Sequence, residues 1–167
     1  AQYSNDTEEL ALRPPQQVLT LAAGTWVEQN DKFARVFFDK NDGIENLTAF
    51  IWQAVDTVAT EEQAGFETID KDQGVAVTNW YSVIAPSSKW FWEEETTPSQ
   101  QKYKFTVAQS EHQRTASLQA ELVDYKSDTV ELTDLLKQQL EVRALNQVVA
   151  EFDYQYRVLL VELRKQQ

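Results

Sequence analysis

The fold is decided by residues 128–163, which read DTVELTDLLKQQLEVRALNQVVAEFDYQYRVLLVEL. Asp128 with Glu131 three residues later forms the pattern of a capping box, which marks a helix start. Apolar side chains then recur at three- and four-residue spacing, broken only at Gln138: Leu135, Val142, Leu145, Val149, Phe152, Tyr156, Leu159 and Leu163. This spacing predicts one amphipathic helix of roughly 50 Å.

A helix of this length needs a surface that buries its apolar stripe, and the first candidate for one comes early in the chain. Residues 26–28 and 33–38 are rich in aromatic and β-branched side chains, and they flank the turn-type pair Asn30 and Asp31. The pattern predicts a β-hairpin, with a single kinked strand as the alternative.

A shorter helix follows the hairpin. Asp42 and Glu45 predict its start, and its end is expected near Gln63, with Gly65 as the stop. Its apolar face has helical spacing and comprises Ile44, Leu47, Ile51, Ala54, Val55 and Val58.

Strand-like runs occupy the middle of the chain at residues 66–69, 75–84, 102–109 and 114–125. Their apolar residues alternate with polar ones, which indicates an antiparallel sheet with one face in water. The inward set is predicted to be Val75, Val77, Tyr81, Val83, Tyr103, Phe105, Val107, Ala116, Leu118, Ala120 and Leu122.

Taken together, the elements predict a two-layer α+β domain of order β-α-β(meander)-α. Its antiparallel sheet would curl around the long C-terminal helix, as in the helix-grip arrangement. We expect this single domain to span residues 25–167. Residues 1–24 lack a useful period and contain Pro14 and Pro15, so they are predicted to form an extended tail or linker. A disordered leader is the alternative.

Composition excludes several functions. The formal net charge of −12 and the pI near 4.5 argue against nucleic acid or an anionic membrane surface as a direct partner. The chain has no Cys, and its only histidine, His112, lies in a polar turn. The acidic residues fall on turns and outward faces. We therefore predict no catalytic residues, no metal site and no cofactor, and hence no enzyme.

Two apolar segments point towards protein contacts instead. Trp90, Phe91 and Trp92 lie in an acidic loop bounded by prolines, where they either cover the sheet edge or form a partner-binding patch. The end of the long helix, including Leu160 and Val161, is apolar almost all round. A single sheet covers only about a third of a helix, so we expect this end to contact a second copy of the chain, the first helix or a further domain.

The stretch from Leu10 to Leu21, which contains Leu12-Arg13-Pro14-Pro15, resembles the BamC (NlpB/DapX) lipoprotein family of Gram-negative bacteria. The similarity continues through residues 44–58, through the strand that ends Thr78-Asn79-Trp80, and on to the closing helix.

The resemblance implies a non-catalytic accessory lipoprotein of the outer-membrane β-barrel assembly (Bam) complex, with its fold in the periplasm. It implies membrane attachment only through a lipidated Cys upstream of this chain. It also implies that the tail, including Leu12, Arg13, Pro14 and Pro15, binds the tetratricopeptide lipoprotein BamD, with other Bam subunits as further partners.

A second function comes from a different class. Helix-grip sheets in other families curl around an apolar cavity, which predicts a carrier of small apolar ligands. The two functions differ in what lies beneath the sheet. A cavity of several hundred Å³ favours the carrier, whereas large side chains that fill this space favour the interaction module.

Overall fold

The computed structural model describes residues 25–29, 33–41, 43–84 and 98–166. Within these ranges the chain forms seven strands and two helices. In chain order they are β1 (Thr25–Gln29), β2 (Ala34–Asp39), α1 (Leu47–Glu61), β3 (Phe66–Asp70), β4 (Val75–Thr78), β5 (Tyr81–Ile84), β6 (Pro98–Gln109), β7 (Thr115–Lys126) and α2 (Asp134–Lys165).

The strands form one antiparallel sheet of order β1-β2-β7-β6-β4-β3, with β5 also paired to β6. The predicted hairpin is confirmed, because β1 pairs antiparallel with β2 and Thr25 lies opposite Phe38. The meander comprises β3 to β7. The hairpin extends the sheet beyond β7, because β2 pairs with β7. The predicted α+β class and the order of elements are confirmed.

The inward faces of the two long strands are those that alternation predicts. On β6 and β7 the side chains of Tyr103, Phe105, Val107, Ala116, Leu118, Ala120 and Leu122 are all buried. Each large apolar side chain contributes about 1.5–3 kcal/mol when it is buried. Alternation works here because these strands are long and pair along most of their length.

The predicted run 75–84 is wrong in two respects, of which the first is that it forms two strands rather than one. Ala76 and Thr78 face the core in place of Val75 and Val77, whereas Tyr81 is buried as predicted. The alternation changes phase at Asn79. Its backbone N–H donates to Gly65 O and its side-chain amide donates to Ala64 O, which interrupts the strand.

The start of α1 differs from the prediction, whereas its end lies near Gln63 as predicted but with a different stop residue. The N-cap is Asn46, whose side chain accepts a hydrogen bond from Ala49 N at 3.1 Å, and Asp42 lies outside the described residues. At the C-terminus the left-handed residue is Gln63, with φ 58°. Ala64 N donates to Ala59 O at 3.0 Å, which completes a Schellman motif around Gln63. Gln63 lies two residues before Gly65, the predicted stop.

The long helix starts later than predicted. Asp128 is not its cap. The N-cap is Thr133, whose hydroxyl oxygen accepts from Leu136 N at 3.1 Å. Residues 127–130 form a turn instead, in which Ser127 Oγ accepts from Val130 N. The buried stripe begins with Leu136 and Leu140 rather than Leu135, so Gln138 does not interrupt it.

One aromatic side chain joins the two layers. The Phe152 ring of α2 lies 4.5 Å from the Phe38 ring of β2 and 5.2 Å from the Phe50 ring of α1. The sheet and both helices therefore share a single core.

Candidate interaction surfaces

Most of the side chains predicted to bind partners lie outside the described residues. This holds for Leu12, Arg13, Pro14 and Pro15 in the tail and for Trp90, Phe91 and Trp92 in the loop. Only Leu160 and Val161 fall within the described part of the chain, in the last turns of α2. The predictions for the tail and the loop stay predictions.

Leu160 and Val161 do not share one surface. Leu160 is partly buried and packs against the core, whereas Val161 is 49% exposed. Two further apolar residues on the solvent side of α2 are also exposed, Tyr154 by 63% and Val158 by 44%. Positions 154, 158 and 161 have i, i+4, i+7 spacing, so they form one stripe. We call Tyr154, Val158 and Val161 the distal stripe.

The distal stripe faces away from the core because the opposite side of the same helical turns is anchored. Leu159 and Leu160 are partly buried against the core. Gly43, with φ 89°, lies so close to α2 that a Cβ at this position would be 2.6 Å from Leu163 Cδ1. The positive φ favours glycine at this position, whereas Leu163 Cδ1 is the end of a flexible side chain that can move aside. The spacing of Tyr154, Val158 and Val161 is present in the sequence, but the other apolar residues of the helix end conceal it.

Large side chains lie beneath the described part of the sheet. Tyr81, Tyr103, Phe105, Leu118, Leu122 and Phe152 are buried in one core. The Tyr81 and Tyr103 rings are in edge contact, with their centroids 5.2 Å apart. Among the described residues, a depression of about 250 Å³ lies elsewhere, at the start of α1, and its lining is mostly polar: Lys40, Glu45, Asn46, Leu47, Thr48, Gln109 and Gln113.

A buried carboxylate ties α2 to the sheet. The register of β6 and β7 shifts between Lys102 and Tyr103, and at this bulge Leu122 N donates to Glu141 Oε2 at 2.8 Å. Burial raises the pKa of the Glu141 carboxyl, which the Leu122 hydrogen bond and Lys137 partly offset. The neighbouring Tyr103 hydroxyl donates to Leu140 O at 3.3 Å. These contacts fix the position of α2 along the sheet.

The outer face of the sheet carries a cluster that the sequence analysis did not single out. Two ammonium groups lie near the Trp80 ring, with Lys126 Nζ at 4.3 Å and Lys102 Nζ at 5.0 Å from its centroid. Lys102 also forms an ion pair with Glu67. The outward alternation of Lys102 was the available signal. The cluster covers the Trp80 ring with local cations, each worth about 0.5–1 kcal/mol at an exposed site.

His112 lies where the sequence predicts it, in the turn between β6 and β7. Its Nδ1 accepts from Arg114 N at 3.0 Å and lies 3.1 Å from Ser110 Oγ. In the described ranges no group of three or more His, Cys, Asp or Glu side chains has the geometry of a metal site. None of the described helices is both long and apolar enough to cross a membrane.

A sequence model of the family described as the outer membrane protein assembly factor BamC-like N-terminal domain matches residues 4–166. The chain belongs to this family. The match includes the Arg13-Pro14-Pro15 stretch as well as the described strands and helices, as the resemblance predicts.

Several relatives carry the name outer membrane protein assembly factor BamC. The protein from Pseudoalteromonas sp. (strain SM9913) is 54% identical over 99% of this chain and 47% of its own length. The one from Pseudoalteromonas atlantica is 34% identical over 90% of this chain and 43% of its own length. The one from Shewanella oneidensis is 28% identical over 86% and 41%. The chain thus spans about half the length of the relatives it matches, or less.

Proposed function

We propose that this chain is a non-catalytic interaction module of the machinery that assembles β-barrel proteins in the outer membrane. The observation that carries this proposal is the family match over residues 4–166. The module lies on the periplasmic side of the outer membrane and is attached through a lipid upstream of the chain.

In this module residues 1–24 form a tail that binds partners. Residues 25–167 form the domain that supplies stability. Within the tail, Leu12, Arg13, Pro14 and Pro15 contact a BamD-like tetratricopeptide lipoprotein. Proline restricts its own backbone and that of the preceding residue, so less conformational entropy is lost on binding. Arg13 supplies a planar donor that can pair with a carboxylate in two places.

Trp90, Phe91 and Trp92 form a second proposed contact, with other subunits of the complex. Aromatic side chains are enriched at the centres of protein interfaces because they bury a large area with few rotatable bonds. Their position in an acidic loop suits a partner surface that has basic residues around an apolar centre.

The large side chains buried beneath the described strands support an interaction module over a carrier of apolar ligands. A ligand pocket measures roughly 300–1,000 Å³ and is mostly apolar. Beneath the described part of the sheet, Phe105, Leu118 and Phe152 are fully buried and pack in one core. The polar depression at the start of α1 does not have the lining that an apolar ligand needs.

Isothermal titration of the whole chain with the purified BamD-like protein tests the tail contact. We expect the double substitution Leu12→Ala and Arg13→Ala to weaken binding at least about tenfold, which corresponds to roughly 1.4 kcal/mol. The matched control changes Gln16 and Gln17 to Ala and should bind as the unmodified chain does. Equal affinity of all three proteins would contradict the proposed contact.

A further inference from the structure

We propose that the distal stripe is a self-association surface, on which a second copy of this chain packs its own α2 in the antiparallel direction. The stripe consists of Tyr154, Val158 and Val161, all substantially exposed. Its neighbours on the inner side of the helix, Leu159 and Leu160, pack against the core, so the stripe lies on the solvent side.

The charges that flank the stripe select a second copy and its direction. Val158 lies near the middle, and Glu151 and Lys165 each lie seven residues from it, on the same side of the stripe. A two-fold axis at Val158 therefore places Glu151 of each copy opposite Lys165 of the other. A parallel pair would instead place Glu151 opposite Glu151 and Lys165 opposite Lys165, which is repulsive. The surface is thus complementary to itself in one direction only.

Of the groups that form these pairs, Lys165 is exposed, whereas Glu151 is half-buried at the edge of the stripe. Within one chain Lys165 Nζ lies 3.7 Å from Glu162, an exposed ion pair that is easily exchanged. Glu151 Oε1 accepts from Gln155 Nε2 at 3.2 Å, and the other carboxylate oxygen can accept from a lysine.

The size of the stripe makes the association weak. Three side chains cover much less than the ~800 Å² per partner of a standard interface. We expect a dissociation constant of about 0.1–1 mM. This inference does not rest on partner binding by the tail.

Sedimentation equilibrium of the whole chain at concentrations up to ~1 mM tests the proposal. The apparent mass of the unmodified protein should rise with concentration, and Val158→Glu should stay monomeric. Val123→Glu is the matched control, because Val123 is also 44% exposed but lies on β7. It should associate like the unmodified protein, and circular dichroism should show the same fold in all three.

A charge exchange tests the antiparallel direction. Glu151→Lys should weaken association by several-fold, and adding Lys165→Glu to the same chain should restore it. A monomeric unmodified protein at ~1 mM overturns the proposal, as does equal association of Val158→Glu and the unmodified protein. Failure of the second charge to restore association overturns the antiparallel arrangement. The proposal also fails if the stripe residues are buried only when another Bam subunit is added, since the occupant is then not a second copy.

Discussion

Gln63 holds the left-handed conformation that ends α1, although it is not glycine. A residue with a Cβ loses about 1–2 kcal/mol in this conformation, and the Gln63 side chain is exposed. Glycine avoids this cost, but it also increases the entropy of the unfolded chain, which offsets part of the gain. We therefore expect Gln63→Gly to raise the free energy of unfolding by about 0.5–1 kcal/mol. Urea denaturation measures this difference.

The control for this substitution is Gln53→Gly, an exposed position inside the same helix. There glycine should lower the free energy of unfolding by about 1 kcal/mol. If both substitutions destabilise the protein equally, the left-handed assignment of Gln63 is wrong.

Glu141 predicts a pH dependence of stability. Its pKa is raised in the folded state, mainly by burial, so the folded protein binds this proton more tightly than the unfolded chain. The contribution of Glu141 to the free energy of unfolding therefore falls as the pH rises from the unfolded pKa through the folded pKa. Glutamine keeps an acceptor for Leu122 N and carries no charge.

We accordingly expect Glu141→Gln to gain stability relative to the unmodified protein between pH 4 and pH 7.5. Urea midpoints of both proteins at the two pH values measure the change, and the comparison cancels all other titrating groups. A difference between the two proteins that does not vary with pH would refute the assignment. The sequence did not reveal the role of Glu141, because no pattern in β7 shows the bulge beside which Leu122 N donates to its carboxylate.

At the scale of elements, the start of α2 depends on Thr133 rather than Asp128. Removing the Thr133 hydroxyl leaves Leu136 N without its acceptor. We therefore expect Thr133→Ala to lower the free energy of unfolding by about 1 kcal/mol. Asp128→Ala should change it by less than ~0.5 kcal/mol, as is usual for surface positions. Thermal or urea unfolding of the two variants side by side distinguishes the two caps, and a larger loss for Asp128→Ala would restore the sequence-based start.

The elements show which parts of a fold can be predicted locally. Alternation on β6 and β7 and the apolar periodicity of α2 follow from burial, so they were predictable. The caps were not, because several residues near each helix start can accept the same kind of hydrogen bond, and packing chooses among them. The strand break at Asn79 depends on bonds to Ala64 and Gly65, which no alternation pattern contains.

For the whole molecule, the class of fold and its family could be predicted, whereas the distal stripe needed the structure. An apolar helix end does not tell which residues the core takes. Leu160 packs inwards and Val161 outwards, a distinction set by the direction in which Phe152 and Gly43 hold the helix.

The central claim is that binding of the BamD-like protein and stability of the fold belong to different parts of this chain. It is tested most directly by one titration of the BamD-like protein with the whole chain and with a chain that lacks residues 1–24, each also followed by its melting temperature. We expect the shortened chain to melt within about 2–4 °C of the whole one, a difference of about 1 kcal/mol at this size, and to lose binding by at least tenfold. A shortened chain that unfolds, or one that binds as tightly as the whole chain, would contradict the claim.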